Sequence, residues 1–312
     1  MNWNGDIVWK YEDPYMNSHE HYRMKNGNTM ITHWEPIPHE LASRVKGGIP
    51  GSERDGTMWG DVLQEISPDG NVVWECPVYE LLDPGTDILC PLCPRETWTY
   101  INSVVVLPDE NILVSLRLLN TIAIIDKNKR KIKWRWGHHK LGHQHNPTMI
   151  DNGNILIFDN GLHTQISSNG IGSCTRVLEV NPKTNKIEWE YKDRNKAKFY
   201  TPVCGSAQRL PNDNTLICES TKGRLFEVTP DKEVVWEFFN PFYHDYLRGG
   251  LGWINIVYRA QRYAPDYEGL RGKILDSNKF EWVLQERGKP KERKISAEQE
   301  EVVRTRLEAM GY

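Results

Sequence analysis

Long apolar runs are lacking, and no membrane-spanning helix is expected. Its first residues, MNWNGDIVWKYEDP, contain neither a basic leader nor an apolar stretch behind one, and no apolar run approaches the roughly 20 residues of a spanning helix. The expected setting is the cytoplasm, or an exported location if a leader has been removed. No long basic block precedes the C-terminal tail, and 39 Lys and Arg stand against 42 Asp and Glu. Neither a nucleic-acid partner nor a membrane partner is expected from that balance. A P-loop, a G-x-G-x-x-G behind a strand and a G-x-S-x-G are all missing, which removes nucleotide cradling and the serine-hydrolase elbow. Cysteine is sparse, with 6 in 312 residues. Cys90 and Cys93 form a C-x-x-C in ILCPLCPRE, but there is no second such pair to complete a zinc site. The two are read as free thiols on a Pro-rich loop. Cys76, Cys174, Cys204 and Cys218 read as small buried residues of strand-like runs in a reducing compartment.

What is abundant is tryptophan in one setting. Trp9, Trp74, Trp134, Trp189 and Trp236 recur in DIVWKYE, NVVWECP, KIKWRWG, KIEWEYK and EVVWEFF. A hairpin unit recurs as well: MKNGNTMIT, LPDENILVS, MIDNGNILIF and LPNDNTLIC. Asn-Gly and its relatives between apolar runs mark a tight turn, because these residues tolerate the positive φ it needs. Each hairpin is followed by an apolar strand, a polar turn and the Trp strand. The repeat is thus four strands, the unit of a propeller blade. Long insertions at 34–60 and 77–98 stretch the spacing. The expectation is an all-β chain, a β-propeller of five or six blades with six favoured, spanning 1–288. The N-terminal strand 5–11 is expected to close the ring in the final blade, where KFEWVLQ (279–285) offers a Trp strand. Residues 289–312 read as a charged linker and a short C-terminal helix, with Ser296 as N-cap, Gln299 completing a capping box and Gly311 ending it. That helix packs on the outside or pairs two copies as a homodimer.

In a propeller the innermost strand of each blade lines the channel, so the residues ahead of each hairpin should converge. They are His19 and His21, then Tyr100 and Asn102, then His143 and His145, then Cys204, Ser206 and Gln208, and finally Asn255, Arg259 and Arg262. If the strand bearing the H-x-H pair begins at His143, a period of two sets both imidazoles on one face. Imidazole offers acid, base, nucleophile or metal ligand near neutral pH. Arginine offers a planar fork for sulfate, phosphate or carboxylate. Asn160 and His163, just past the FDNG strand, are placed to lean over the same site. No cofactor is expected; the alternative is a transition-metal ion held by His19, His21, His143 and His145.

TWTYINSVVVLPDENILVSLR, GHQHNPTMIDNGNILIFDNG, FYTPVCGSAQRLPNDNTLICES with KGRLFEVTP, and NIVYRAQRYAPDY together resemble the bacterial arylsulfotransferase family that uses no nucleotide sulfate donor. The resemblance implies a six-bladed propeller with a histidine nucleophile on the axis. That histidine would accept a sulfuryl group from an aryl sulfate and pass it to a phenol, with other His and Arg residues holding the transferred oxygens. Tyr100 stands where the family's second-blade motif carries a His, and His163 where an Arg would be sought. The leading expectation is a transferase acting on a small anionic or aromatic substrate. In it His143 or His145 is the nucleophile, His19, His21, Tyr100 and His163 are catalytic partners, and Arg259 or Arg262 is the anion clamp. Asn102, Ser206 and Asn160 complete the substrate contacts. The rivals are a four-His metal enzyme (hydrolase, lyase or oxygenase) and a non-catalytic ligand-binding propeller.

Overall fold

The repeated strand-turn pattern folds as alternating antiparallel ladders. The structure, a computed structural model, describes residues 2–3, 5–12, 16–164, 174–196, 198–245 and 253–273. The first blade contains β1 (Met16–Arg23) and β2 (Thr29–Pro36). Its insertion holds α1 (His39–Arg44) and β3 (Gly47–Ile49), and the blade resumes with β4 (Trp59–Ile66) and β5 (Val72–Pro77). A second insertion follows, with β6 (Leu89–Pro94) and β7 (Thr97–Trp98). The second blade is β8 (Ile101–Val106), β9 (Ile112–Leu116), β10 (Thr121–Asp126) and β11 (Lys131–Trp136). The third is β12 (His145–Met149), β13 (Ile155–Asp159), β14 (Arg176–Asn181) and β15 (Lys186–Tyr191). The fourth is β16 (Ser206–Arg209), β17 (Thr215–Glu219), β18 (Arg224–Val228) and β19 (Val234–Phe239), after which β20 (His244–Asp245) pairs with β21 (Trp253–Ile254). Each blade is a simple meander, with β7 added beside β4 in the first. The inner strands β1, β8, β12 and β16 neighbour one another in chain order. The architecture is a β-propeller.

The second strand of each blade explains the packing. ILVSL, ILIFD and TLICE are buried throughout, as a strand covered on both faces must be. On β13 the period of two is visible in the packing. Ile155 and Ile157 join the core shared with the second blade, while Leu156 and Phe158 join the core shared with the fourth. Truncating any of these to Ala removes contacts on a face that cannot collapse and costs about 2–5 kcal/mol.

The Trp strands are the outermost, and their indoles explain the recurrence. The Nε1 of Trp74 donates to the Lys127 carbonyl at 3.2 Å, that of Trp134 to Asn185 Oδ1 at 2.9 Å, and that of Trp189 to the Pro230 carbonyl at 2.8 Å. Each acceptor lies in the turn between the third and fourth strands of the following blade. Trp9 does the same, donating to the Pro68 carbonyl at 2.9 Å. Residues 5–12 form no ladder among the described residues, so the expected strand is replaced by a Trp contact of the same kind. Its expected partner KFEWVLQ, and the C-terminal helix, lie outside the described residues.

A second clasp repeats on the third strands. Glu65, Glu179 and Glu227 accept from Asn28, Asn154 and Asn214 of their own blades' hairpin turns at 2.5, 2.7 and 2.6 Å. A cation from the next blade then closes each of them, Lys127 of the turn after β10 pairing with Glu65. Arg209 reaches Glu179 at 2.6 Å with its guanidinium 4.9 Å from the Trp189 ring centre. Arg262 pairs with Glu227 with its guanidinium 4.8 Å from Trp236. Although residues 255–263 are not a ladder strand, they lie beside β16 in the manner of the next inner strand. Ser206 Oγ accepts from the Ala260 amide at 3.1 Å, and Gln208 Oε1 from that of Arg262 at 2.7 Å. The Arg259–Glu20 ion pair joins this segment to β1.

The two insertions fold together. β3 and β6 pair in parallel, and Arg95 ties the unit with Nη1 donating to the Val45 and Gly47 carbonyls at 2.9 and 2.7 Å. This places β6, with Cys90 and Cys93, against the end of the second blade rather than on a loose loop.

Candidate functional site

The chain approaches its inner strands through left-handed residues. Tyr100 has φ 53°, His143 φ 55° and Cys204 φ 56°, each one or two positions ahead of its strand. Non-glycine residues in this region carry strain of order 1–3 kcal/mol and persist where their surroundings fix them. Here the preceding blade does the fixing. Asn102 Nδ2 and Ser115 Oγ donate to the Gln144 carbonyl at 2.9 and 3.2 Å, and the Gln144 amide returns a bond to the Thr121 carbonyl at 3.0 Å. The His143 amide donates to Asn120 Oδ1 at 2.8 Å. In the next blade Asn160 Nδ2 donates to the carbonyls of Thr201 and Cys204 at 2.9 and 2.8 Å. Gly205, at φ 99°, then passes so close to Phe158 that a Cβ would sit 2.4 Å from its ring. Asn102, Ser206 and Asn160 thus hold backbone between blades.

The H-x-H pair does not lie on one strand face. β12 begins at His145, and the left-handed turn at His143 breaks the two-residue alternation before it starts. The imidazoles diverge. His145 holds Asn160, its Nδ1 2.7 Å from Oδ1. His143 places Nε2 3.5 Å from the Cys93 sulfur.

Around the axis, His19 Nε2 lies 2.8 Å from the Tyr100 hydroxyl. The His19 ring also stacks on Tyr258 with centroids 6.2 Å apart and planes at 9°. The Arg117 guanidinium lies 5.4 Å from the Tyr100 ring centre, and its charge reaches His19, Tyr100, His143, His145 and Cys204 alike. Among the described residues no carboxylate pairs with Arg117. Desolvation lowers its pKa. The imidazoles beside it are held neutral. Desolvation, then the Arg117 charge, lowers His19, although one side of that residue is open to solvent; burial pushes His145 down to about 3. Burial raises the Tyr100 phenol and lifts Tyr258 to about 12.

A second group adjoins this ring. Cys90 Sγ lies 3.4 Å and Cys93 Sγ 3.5 Å from Nδ1 of His163, and the His143 and His163 rings meet edge to face with centroids 4.8 Å apart. Cys90 is drawn down by the hydrogen bond from Cys93 and then opposed by burial; Cys93 is pushed up by the same bond and by burial. One ligand atom from each of Cys90, Cys93, His143 and His163 lies within 4.8 Å of the others.

Several sequence expectations shift in consequence. His19, His21, His143 and His145 do not form one cluster: His143 turns to the cysteines, while His21 is exposed and lines a groove with Tyr22, Arg262 and Tyr263. Arg262 is a blade clasp equivalent to Arg209, and Arg259 is neutralised by Glu20, so neither offers an open anion fork. The repeat A-Q-R at 207–209 and 260–262 carries that equivalence. Arg117 was not among the expected residues. Its signal is positional: it directly follows the second strand of its blade, where Asn160 and Ser220 follow theirs. Cys90 and Cys93 reach two histidines because an insertion from the first blade lies over the third.

No curated protein matches the chain. Among solved structures, a protein of unknown function from Bacteroides caccae aligns at 17% identity with TM-score 0.41, over 62% of this chain and 57% of that one. Virginiamycin B lyase from Staphylococcus aureus aligns at 17% identity with TM-score 0.39, over 72% and 55%. The chain therefore spans little more than half the length of these structures. The profile of Arylsulfotransferase (ASST) matches residues 1–241. With that match covering most of the sequence, the chain belongs to the arylsulfotransferase family.

Proposed function

We propose that this chain moves a sulfuryl group from an aryl sulfate to a phenolic acceptor at the axial ends of its inner strands. The observation that carries the reading is Arg117: a largely desolvated guanidinium with no carboxylate partner among the described residues, set among neutral imidazoles and phenols. Such a cation, flanked by groups that carry no charge of their own, is suited to an anionic substrate.

In this scheme Arg117 holds the sulfuryl oxygens. The unprotonated Nε2 of His145 attacks sulfur as the bond to the aryl oxygen breaks. The departing aryl oxygen takes the Tyr100 hydroxyl proton, leaving a tyrosinate beside Arg117, with His19 keeping that oxygen in place. In the second half, the acceptor phenol returns its proton to Tyr100 while its oxygen attacks sulfur and releases His145. Burial raises Tyr100 and keeps its hydroxyl protonated at rest, while the Arg117 charge beside it opposes that rise and steadies the transient tyrosinate. Family membership supports the reaction class.

The test is release of p-nitrophenol from p-nitrophenyl sulfate, with and without added phenol. Acceptor-dependent release, lost in His145→Gln together with a sulfuryl-sized mass on the peptide containing that residue, is the expected result. Folded wild-type protein that turns over no aryl sulfate with any phenol overturns the reading.

A further inference from the structure

We propose that Cys90, Cys93, His143 and His163 form a tetrahedral zinc site that pins the first-blade insertion to the third blade. A tetrahedral ion with sulfur at about 2.3 Å and nitrogen at about 2.0–2.1 Å sets each S···N edge near 3.5 Å. The three S···N approaches found here are 3.4, 3.5 and 3.5 Å. Hydrogen bonding alone does not account for the arrangement. Both sulfurs converge on the single Nδ1 of His163, and one ring nitrogen has one proton or one lone pair to offer. A central cation uses all four donor atoms at once.

The donor set selects the metal class. Two thiolates and two imidazoles suit Zn(II) and, by substitution, Co(II); hard ions such as Mg(II) and Ca(II) take oxygen ligands. Four protein ligands leave no open position, which marks a closed structural site rather than a hydrolytic one. Cys90, Cys93 and His143 are buried, and the ligands come from three separate stretches: β6, the approach to β12 and the turn after β13. Gly161 makes the last stretch fit. At φ +71°, a Cβ there would lie 2.0 Å from the Cys174 carbonyl oxygen. Metal binding would thus fix the His143 turn two residues ahead of His145. The site is independent of the transfer chemistry, because the ion touches no substrate in this scheme.

The test uses the full chain, reduced and stripped of metal, then titrated with Co(II) and Zn(II). One Co(II) per chain is expected, with the strong visible d–d bands of a tetrahedral ion and near-ultraviolet thiolate charge transfer, both bleached by Zn(II). Zinc should slow alkylation of Cys90 and Cys93 at least tenfold, and a chelator should restore it, with Cys174 unaffected throughout. His163→Gln should lose the tetrahedral spectrum. If that variant does not fold, the wild-type spectrum and alkylation pattern decide alone. Octahedral Co(II) spectra, absence of binding by reduced wild-type protein, or equal alkylation with and without zinc overturns the site.

Discussion

His145 holds its Nδ1 2.7 Å from the Oδ1 of Asn160, and the Asn160 amide is itself fixed, because its Nδ2 donates to the carbonyls of Thr201 and Cys204. Flipping that amide would set its oxygen against two other oxygens. Oδ1 must therefore accept, Nδ1 of His145 must carry the proton, and Nε2 must carry the lone pair. Asn160→Asp replaces the two donated bonds with a carboxylate that favours imidazolium. The expected result is a loss of about 100-fold or more in kcat on aryl sulfates. Nitrogen NMR of wild-type protein should show His145 as the Nδ1–H tautomer.

Two arginines with different partners give opposite phenotypes. Arg117 has no carboxylate partner among the described residues, whereas Arg262 pairs with Glu227. Arg117→Gln should lower kcat/KM for an aryl sulfate by about 100-fold or more while leaving the unfolding midpoint near that of wild type. Arg262→Gln strands Glu227, whose side chain is only 8% exposed. It should cost about 1–3 kcal/mol in urea unfolding with kcat of the folded protein unchanged. A fall in kcat for Arg262→Gln at constant stability would return it to the substrate contacts.

The blades were legible because their signals are local. Turn residues between apolar runs mark the hairpins, and the Trp strand recurs because each indole must reach the next blade's turn. The site was legible only where it follows that periodicity. Tyr100, His143 and Cys204 were found by their place in the repeat, but the left-handed turn at His143 breaks strand parity, so the sequence did not show that His143 and His145 part company. Cys90 and Cys93 sit in an insertion, and nothing in their spacing announces histidines 50 to 73 positions away, a distance that the fold alone closes. Arg259 and Arg262 looked available because the sequence does not display their partners Glu20 and Glu227. Arg117 had no assigned role, because it stands just past the LPDENILVS hairpin.

The glutamates of the third strands set an acid limit on stability. Burial alone would raise Glu179, but bonds from Asn154 and Asn152 and the charge of Arg209 outweigh it and lower its pKa; Glu65 and Glu227 are lowered in the same way. A depressed folded pKa means that the unfolded chain binds protons first as pH falls. The stabilisation is complete above the unfolded glutamate value and is lost as pH drops through the folded one. The stability difference between wild type and Glu179→Gln should therefore be constant from pH 6 to 8 and shrink below about pH 4.5, the ordinary glutamate value. Urea midpoints of the two proteins across that range measure it. A difference that grows on acidification contradicts the clasp.

Trp9 shows how the N-terminal residues take part in the ring without forming a strand. Its indole donates to the Pro68 carbonyl at 2.9 Å, and the Arg23 guanidinium lies 5.5 Å from its ring centre. Trp189 is the matching residue of an ordinary blade, donating to Pro230 at 2.8 Å with Arg209 beside it. Phenylalanine keeps most of the apolar contact at either position but removes the donor. Each substitution should cost about 1 kcal/mol, the net worth of one such bond. Equal losses for Trp9→Phe and Trp189→Phe in urea unfolding would mean that residues 5–12 belong to the cooperative unit. A loss at Trp189 with none at Trp9 would mean that the first residues lie on the propeller without helping to hold it.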